Sequence, residues 1–305
     1  MSTPVLGTVR STIAAGAVGA LLLSGVPAAA QPAPEHRSAP AAERASAVRI
    51  GTFNINAGLP LDRWRQAVQD FSALVDIGGI QEAAGKDKAA ALRSMPGIGS
   101  YVSQRFLQEP VFWNQDAFRL VKGRSPKIAA GRKVESKTGP GLVHQAATLA
   151  TVARLRSRTS GETISVVNVH LLSGSVNAGK PLPGVPRRVG MYTDQVRNLG
   201  KVVKKEKKWS GGPVWVVGDF NVNYGRDKVV RKKRFAFSTL RRRDLVASWE
   251  ARKGQLQPGH GSGSRSGAYL DVIWSTRKAR SVDVRRDEQF RVSDHFPVVS
   301  AYRAP

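Results

Sequence analysis

Cysteine is absent from the 305-residue chain. That excludes disulfides, thiolate metal sites and a cysteine nucleophile. Carboxylates are scarce: 22 Asp and Glu stand against 48 Lys and Arg, for a formal net charge of +26. A surface with so few acids attracts polyanions, nucleic acid first and anionic membrane second. Such charge also serves solubility alone, so it orders the hypotheses without choosing among them. No HExxH motif and no His-rich tract occurs. Nor does GxxxxGK followed by Ser or Thr, which counts against a nucleotide-driven motor or kinase.

Long apolar runs are missing except at the start. Arg10 precedes an apolar stretch from Ile13 to Val26, and Ala28, Ala29 and Ala30 fit a small-residue cleavage signal before Gln31. The run is too short and too rich in Ala and Gly for a convincing span. Residues 1–30 therefore read as a secretory signal peptide cleaved near Ala30, with a retained anchor as the alternative. The expectation is a secreted protein with no stable membrane insertion. Residues 31–47 are rich in Pro, Ala and charge and predict a flexible lead-in, so one folded domain spans 48–305.

Short apolar and β-branched runs predict strands over Val48–Asn56, Asp76–Gln81, Ala146–Leu155, Thr163–Leu171, Val214–Val217, Tyr269–Ser275 and Pro297–Tyr302. Two further short strands are expected within Pro110–Gly123, around a turn at Asn114–Asp116. Helical spacing is clear over Leu61–Leu74 and about Met191–Lys208. Ser173–Arg188, Gly225–Arg234 and Gly254–Gly267 read as surface loops.

Polar residues recur where these strands end: Asn54, Glu82, His170, Asp219, Asn221, Asp271, Asp294 and His295. A single carboxylate at a strand end is often a turn former. Eight such residues, on strand ends that converge at one sheet edge, would share a pocket. Their types suit phosphodiester hydrolysis, which needs a divalent cation, an activated water and help for the departing oxygen. A hard cation such as Mg²⁺ takes carboxylate oxygen and retains water; Glu82 is the first choice of ligand, with Asn54 holding its geometry.

The segments TFN (52–54), GIQE (79–82), NVHL (168–171), GDFN (218–221), LDVIW (270–274) and SDHFPV (293–298) occur in one order. Together they resemble the endonuclease/exonuclease/phosphatase family, which includes DNase I, and they span nearly the whole mature chain. The resemblance implies an α/β fold of the DNase I-like kind, a four-layer α/β/β/α sandwich of two packed β-sheets flanked by helices. It implies Glu82 as metal ligand with Asn54 beside it, and Asp294 able to reach a second metal position. Asp219 is similar to the residue that orients or deprotonates the attacking water, and Asn221 to its phosphate-contacting neighbour. His295 resembles the histidine that stabilises the phosphate, with Asp271 as its paired carboxylate. His170 matches the second histidine of the DNase I-like branch, placed to protonate the leaving oxygen. The implied cofactor is Mg²⁺, with Mn²⁺ or Ca²⁺ as alternatives.

Substrate choice falls to charge placement. Arg226, Lys228, Arg231, Lys232, Lys233 and Arg234 follow GDFN and are expected to border the pocket and hold phosphates of a polymer. Lys201, Lys204, Lys205, Lys207 and Lys208 crowd the end of one predicted helix, where a solvated face remote from the site is equally open. The expected protein is a secreted, monomeric, metal-dependent nuclease acting on DNA or RNA. A phosphatase or phospholipid phosphodiesterase on the same site, and a non-catalytic polyanion-binding protein, are the alternatives.

Overall fold

The computed structural model describes residues 47–104, 106–252, 254 and 256–305. The expected signal peptide and all but the last residue of the expected lead-in lie outside the described residues. Twelve strands build two six-stranded sheets. In chain order they are β1 (Ala47–Asn54), β2 (Ile77–Gln81), β3 (Ile98–Tyr101), β4 (Val111–Asn114), β5 (Phe118–Arg124), β6 (Thr151–Ser157), β7 (Thr163–His170), β8 (Val214–Asp219), β9 (Val246–Ala247), β10 (Asp271–Ser275), β11 (Ser281–Val284) and β12 (Val298–Arg303). The first sheet runs β11-β12-β1-β2-β4-β3 and the second β9-β10-β8-β7-β6-β5. Only β1 with β2 and β7 with β8 pair in parallel; the other neighbours are antiparallel.

The sheets face each other across a core that includes Trp215 of β8 edge-on to Tyr302 of β12. Helix α1 (Leu61–Ser72) buries Trp64, Ala67, Val68 and Phe71 on the first sheet, where Phe71 meets Phe53 and Phe112. Helix α2 (Lys86–Arg93) follows. Helix α3 (Pro186–Ser210) covers the second sheet with Met191, Val196, Leu199, Val202 and Val203. The result is the four-layer α/β/β/α sandwich of the DNase I-like fold, in one domain. Among the described residues, no helix is long and apolar enough to cross a membrane.

Helix α3 starts five residues earlier than its apolar spacing predicts, inside the expected loop. Pro186 fits a first helical position because no N–H is needed there. The cap comes from elsewhere in the chain: the Glu135 carboxylate accepts from the N–H groups of Arg187 and Arg188 at 3.1 and 2.9 Å. No local pattern could reveal that. The expected loop 225–234 likewise begins as helix α4 (Tyr224–Val230), capped by Asn223, whose Oδ1 accepts from Gly225 N–H at 3.1 Å. Helix α5 (Ala236–Arg241) and a hairpin pairing Arg132–Glu135 with Leu142–Gln145 were not predicted. The strands expected around Asn114–Asp116 exist, but the turn carries the chain from one sheet to the other.

Candidate active site

Alternation along β7 turns Asn168 and His170 toward the first sheet and Ser165 toward α3. Asn168 locks the sheets together. Its Nδ2 donates to the carbonyls of Ile80 and Pro110 at 2.7 and 2.8 Å, and its Oδ1 accepts from Gln81 Nε2 at 2.6 Å. Gln81 Oε1 in turn accepts from Thr52 at 3.2 Å. The approach is tight enough that a Cβ on Gly79 would lie 2.5 Å from Val217. Only glycine permits that contact.

Register then sets two rows of polar groups face to face. In the second sheet His170, Asp219 and Asp271 are cross-strand partners in sequence. In the first, Asn54 pairs with Gln81, and Glu82 follows directly. Asp219 is the junction. Its Oδ2 accepts from Asn54 Nδ2 at 3.2 Å and Asn221 Nδ2 at 3.0 Å, and lies 3.4 Å from His170 Nε2 and 3.8 Å from His295 Nε2. Its Oδ1 accepts from Asn221 N–H at 2.7 Å. Asn54 Nδ2 also reaches Glu82 Oε1 at 3.3 Å, and Glu82 Oε2 accepts from Ala57 N–H at 3.1 Å. Glu82 and Asn221 both hold left-handed backbones, with φ of 62° and 49°. For a glutamate that conformation is uncommon and strained, and such strain clusters at functional sites.

Burial pushes Asp219 up, but the hydrogen bond and charge of His170, the charge of His295 and the Asn221 N–H outweigh it, so the carboxyl stays below its ordinary range. Burial pushes His170 down; Asp219, Glu109 and Glu82 overcome that and bring it to about 9. His295 Nδ1 meets Asp271 Oδ2 at 2.7 Å. Against burial, Asp271, Asp219 and Asp294 lift His295 to about 10. Burial, with the charge of Asp219, raises Asp271 even against the opposing charge and hydrogen bond of His295. Both histidines therefore carry protons at neutral pH and flank an ionised aspartate.

Two oxygens in this cluster are buried without a hydrogen-bond partner, Asn54 Oδ1 and Asp271 Oδ1. Buried polar atoms normally find partners, so these are acceptors awaiting one. Asp219, Asp271 and His295 offer ligand atoms within 4.8 Å of one another. However, the Asp271 contact already occupies one ring nitrogen of His295. The oxygen-only pair of Asn54 Oδ1 and half-buried Glu82 is the better fit to a hard cation, and it contains one of the free acceptors. Asp294 is exposed and acts on His295 through its charge; it does not join the Asp219, Asp271 and His295 group. Asn221 donates both amide hydrogens, to Asp219 and to the Leu171 carbonyl at 2.9 Å, which makes it an orienter of Asp219 in this structure.

Glu109, missed in the sequence, is 1% exposed beside His170, with Oε2 unpaired. Burial pushes it well above the ordinary carboxyl range, opposed by His170 and reinforced by Glu82. An acid wedged between Phe106-Leu107 and the apolar run Val111–Trp113 was the available signal. Lys88, also missed, is buried and donates to the Ala57 carbonyl at 2.7 Å, bracing the loop that holds Glu82. A cavity of about 370 Å³ opens on His170 and Glu109, with Lys137 on its wall.

The basic segment after GDFN divides between two other cavities. Arg226 and Lys228 line one of about 840 Å³ with Tyr224 and Trp249. Lys232, Lys233 and Arg234 line one of about 570 Å³ against Pro186 and Phe235. Arg231 lies over the Phe237 ring. None of these cavities is lined by Asp219 or His295. The lysine-rich end of α3 lies at the opposite end of β7 from His170, where the Ser210 carbonyl accepts from Thr163 Oγ1 at 2.7 Å. His144 and His260 are exposed.

No curated protein matches the chain by sequence. Solved structures match it in fold. An endonuclease/exonuclease/phosphatase protein from Bacteroides vulgatus is 19% identical, with a TM-score of 0.59 over 85% of this chain and 100% of its own. The Bacteroides thetaiotaomicron mannosyl-6-phosphatase Bt3783 is 16% identical, with a TM-score of 0.56 over 83% of this chain and 98% of its own. D. rerio TDP2 complexed with single-strand DNA product is 13% identical, with a TM-score of 0.56 over 85% of this chain and 100% of its own. The profile described as "Endonuclease/Exonuclease/phosphatase family" matches residues 51–295. The chain belongs to the endonuclease/exonuclease/phosphatase family and, with it, to the metal-dependent phosphoester hydrolases.

Proposed function

We propose that this protein is a secreted nuclease that hydrolyses phosphodiester bonds of DNA or RNA, with Mg²⁺ as its metal. The observation that carries the reading is the junction at Asp219: one ionised carboxylate between two protonated imidazoles, facing a metal-ready pair on the opposite sheet. The charge of +26 favours a polymeric anion. The export signal in the first thirty residues supports secretion.

Asn54 and Glu82 would hold the ion, and Mn²⁺ or Ca²⁺ would find the same oxygens. The ion supplies positive charge to the phosphate oxygens. Asp219 takes a proton from the water whose oxygen bonds to phosphorus. As the bond from phosphorus to the leaving oxygen breaks, His170 donates its proton there. His295, held by Asp271, faces the phosphate as a cation, and Asn221 keeps Asp219 aimed. A monomer suffices, since every group comes from one chain.

A phosphomonoester of a sugar is the second reading, favoured by the 370 Å³ cavity beside His170, which has room for one small ring. The test is nicking of supercoiled plasmid by the mature protein, with Mg²⁺ and then with EDTA. Metal-dependent nicking that weakens with salt supports the nuclease. No nicking, with release of phosphate from sugar phosphates, overturns it in favour of the second reading.

A further inference from the structure

The outer face of the second sheet, where β6 and β5 run out beyond α3, is crowded with cations. Arg154 of β6 points outward to Glu206 of α3, with Nε to Oε2 at 2.8 Å. Arg156, two residues on, shares that face and is exposed. In register, Arg154 lies opposite Lys122 and Arg156 opposite Arg119, both exposed on β5. Like charges directly opposed across strands destabilise a sheet. Here two such pairs occur, separated by a register shift after Arg154; Arg154 is ion-paired to Glu206, whereas Arg156 and Arg119 face each other.

The last turns of α3 add to them. Trp209 lies against the Arg154 guanidinium at 4.1 Å, and exposed Lys205 and Lys208 flank it on the helix. The acid on this face, Glu206, is taken up by Arg154, Arg124 and the Ser165 hydroxyl. Arg119, Lys122, Arg156, Lys205 and Lys208 therefore form a cationic face whose own sheet would be more stable without it.

We infer that this face is a docking surface for the phosphate backbone of a nucleic-acid duplex, separate from the catalytic centre. The separation follows from register. Arg156 is the partner of Thr163, seven residues before His170 on β7, which is ~23 Å at ~3.3 Å per residue. It also lies on the opposite face of the sheet. A duplex seated here presents a different stretch of the same polymer to the active site and raises its local concentration. An anionic lipid surface is the competing occupant, because Leu120, Val121 and Trp209 are exposed beside these cations; the Trp209 ring, however, is engaged by Arg154. The identity of the polymer rests on the nuclease reading above; the binding can be measured without turnover.

The experiment uses the full mature chain carrying Lys122→Glu, Arg156→Glu, Lys205→Glu and Lys208→Glu, with a 30-base-pair duplex in EDTA, followed by fluorescence anisotropy across a salt series. Expected are at least a tenfold loss of affinity and a salt slope shallower by about 3 to 4, at ~0.9 for each phosphate no longer neutralised. The four-site Gln variant should move the same way by less, with a thermal midpoint no lower than that of the wild type. Hydrolysis of bis(4-nitrophenyl) phosphate should be unaltered, while the KM for long polymer rises. Unchanged affinity and slope would overturn the inference and leave the charges as protection of an exposed edge strand. So would tighter capture of phosphatidylglycerol vesicles than of duplex at equal salt, abolished in the variant. If the wild type binds duplex through this face but never cuts it, the nuclease reading fails and the docking surface stands.

Discussion

Strand β7 carries two buried carboxylate clusters on its two faces, one near each end. They use similar parts to opposite ends. Near its start, Ser165 faces Glu206, which is bonded by Arg154 and Arg124 through both oxygens. Burial pushes Glu206 up, and the two guanidiniums more than reverse it. Guanidinium does not release its proton, so this cluster has one protonation state and acts as a rivet between sheet and helix. At the other end, Asp219 is surrounded by imidazoles and amides, with orphaned acceptors at Asn54 and Asp271. Its partners titrate, and those unpaired oxygens can accept ligands. The chemistry lies in the kind of cation beside the carboxylate and in what is left unsatisfied, not in burial or charge alone.

The sharpest break of that contrast is Asp219→Ala. Activity on any diester should fall by up to about 10⁴-fold, the scale of a lost general base. The thermal midpoint should shift little, because the histidines can release their protons. Full activity in the variant would remove Asp219 from its role. The mirror experiment is Glu206→Gln, which strands two guanidiniums beside a neutral amide. Breaking a buried pair costs about 3–5 kcal/mol, so urea denaturation should show a loss of that size, with turnover per folded molecule unchanged.

A third buried carboxylate sharpens the rule. Asp227 has one hydrogen bond on Oδ2, from Phe237 N–H at 2.8 Å, and an unpaired Oδ1. Burial lifts it to about 6. Since the folded value lies above the unfolded one, its contribution is full below about pH 4 and is lost as pH rises through about 6. A shift of roughly two units corresponds to ~3 kcal/mol. Asp227→Asn should gain up to that much relative to the wild type between pH 4 and 7, read from paired denaturation curves. A constant difference across that range would refute the assignment.

The smallest effect is expected at Asn168, on the inner face between the two clusters. Asn168→Ala leaves the Ile80 and Pro110 carbonyls without their donor and Gln81 without an acceptor. About 1–3 kcal/mol of stability should go. Activity should decline with it, because this amide holds the rows bearing Glu82 and His170 opposite each other. A stable variant of normal activity would show that the Gly79 contact alone sets the spacing.

Much of this was legible in the residues. Short, nearly continuous apolar runs marked the central strands, because their side chains meet apolar layers on both faces. The polar residues closing those strands stood out against the runs that precede them. Elements fixed by partners distant in the chain were not legible. The start of α3 depends on Glu135, about fifty residues away, and hairpin 132–145 carries no apolar alternation of its own. Glu109 looked like an ordinary acid before a proline. Its burial beside His170 appears only once β4 and β7 belong to facing sheets.

By itself, then, the sequence determined which side chains could do phosphoester chemistry and that strands would end on them. Periodicity and residue type are local properties. Tertiary structure alone decided which of those groups share a proton or an oxygen, that Asn221 aims Asp219, and that the basic segment after Asn221 divides between two cavities. Those depend on register across β2, β7, β8 and β10 and on the close approach at Gly79, where two sheets far apart in sequence meet within van der Waals contact.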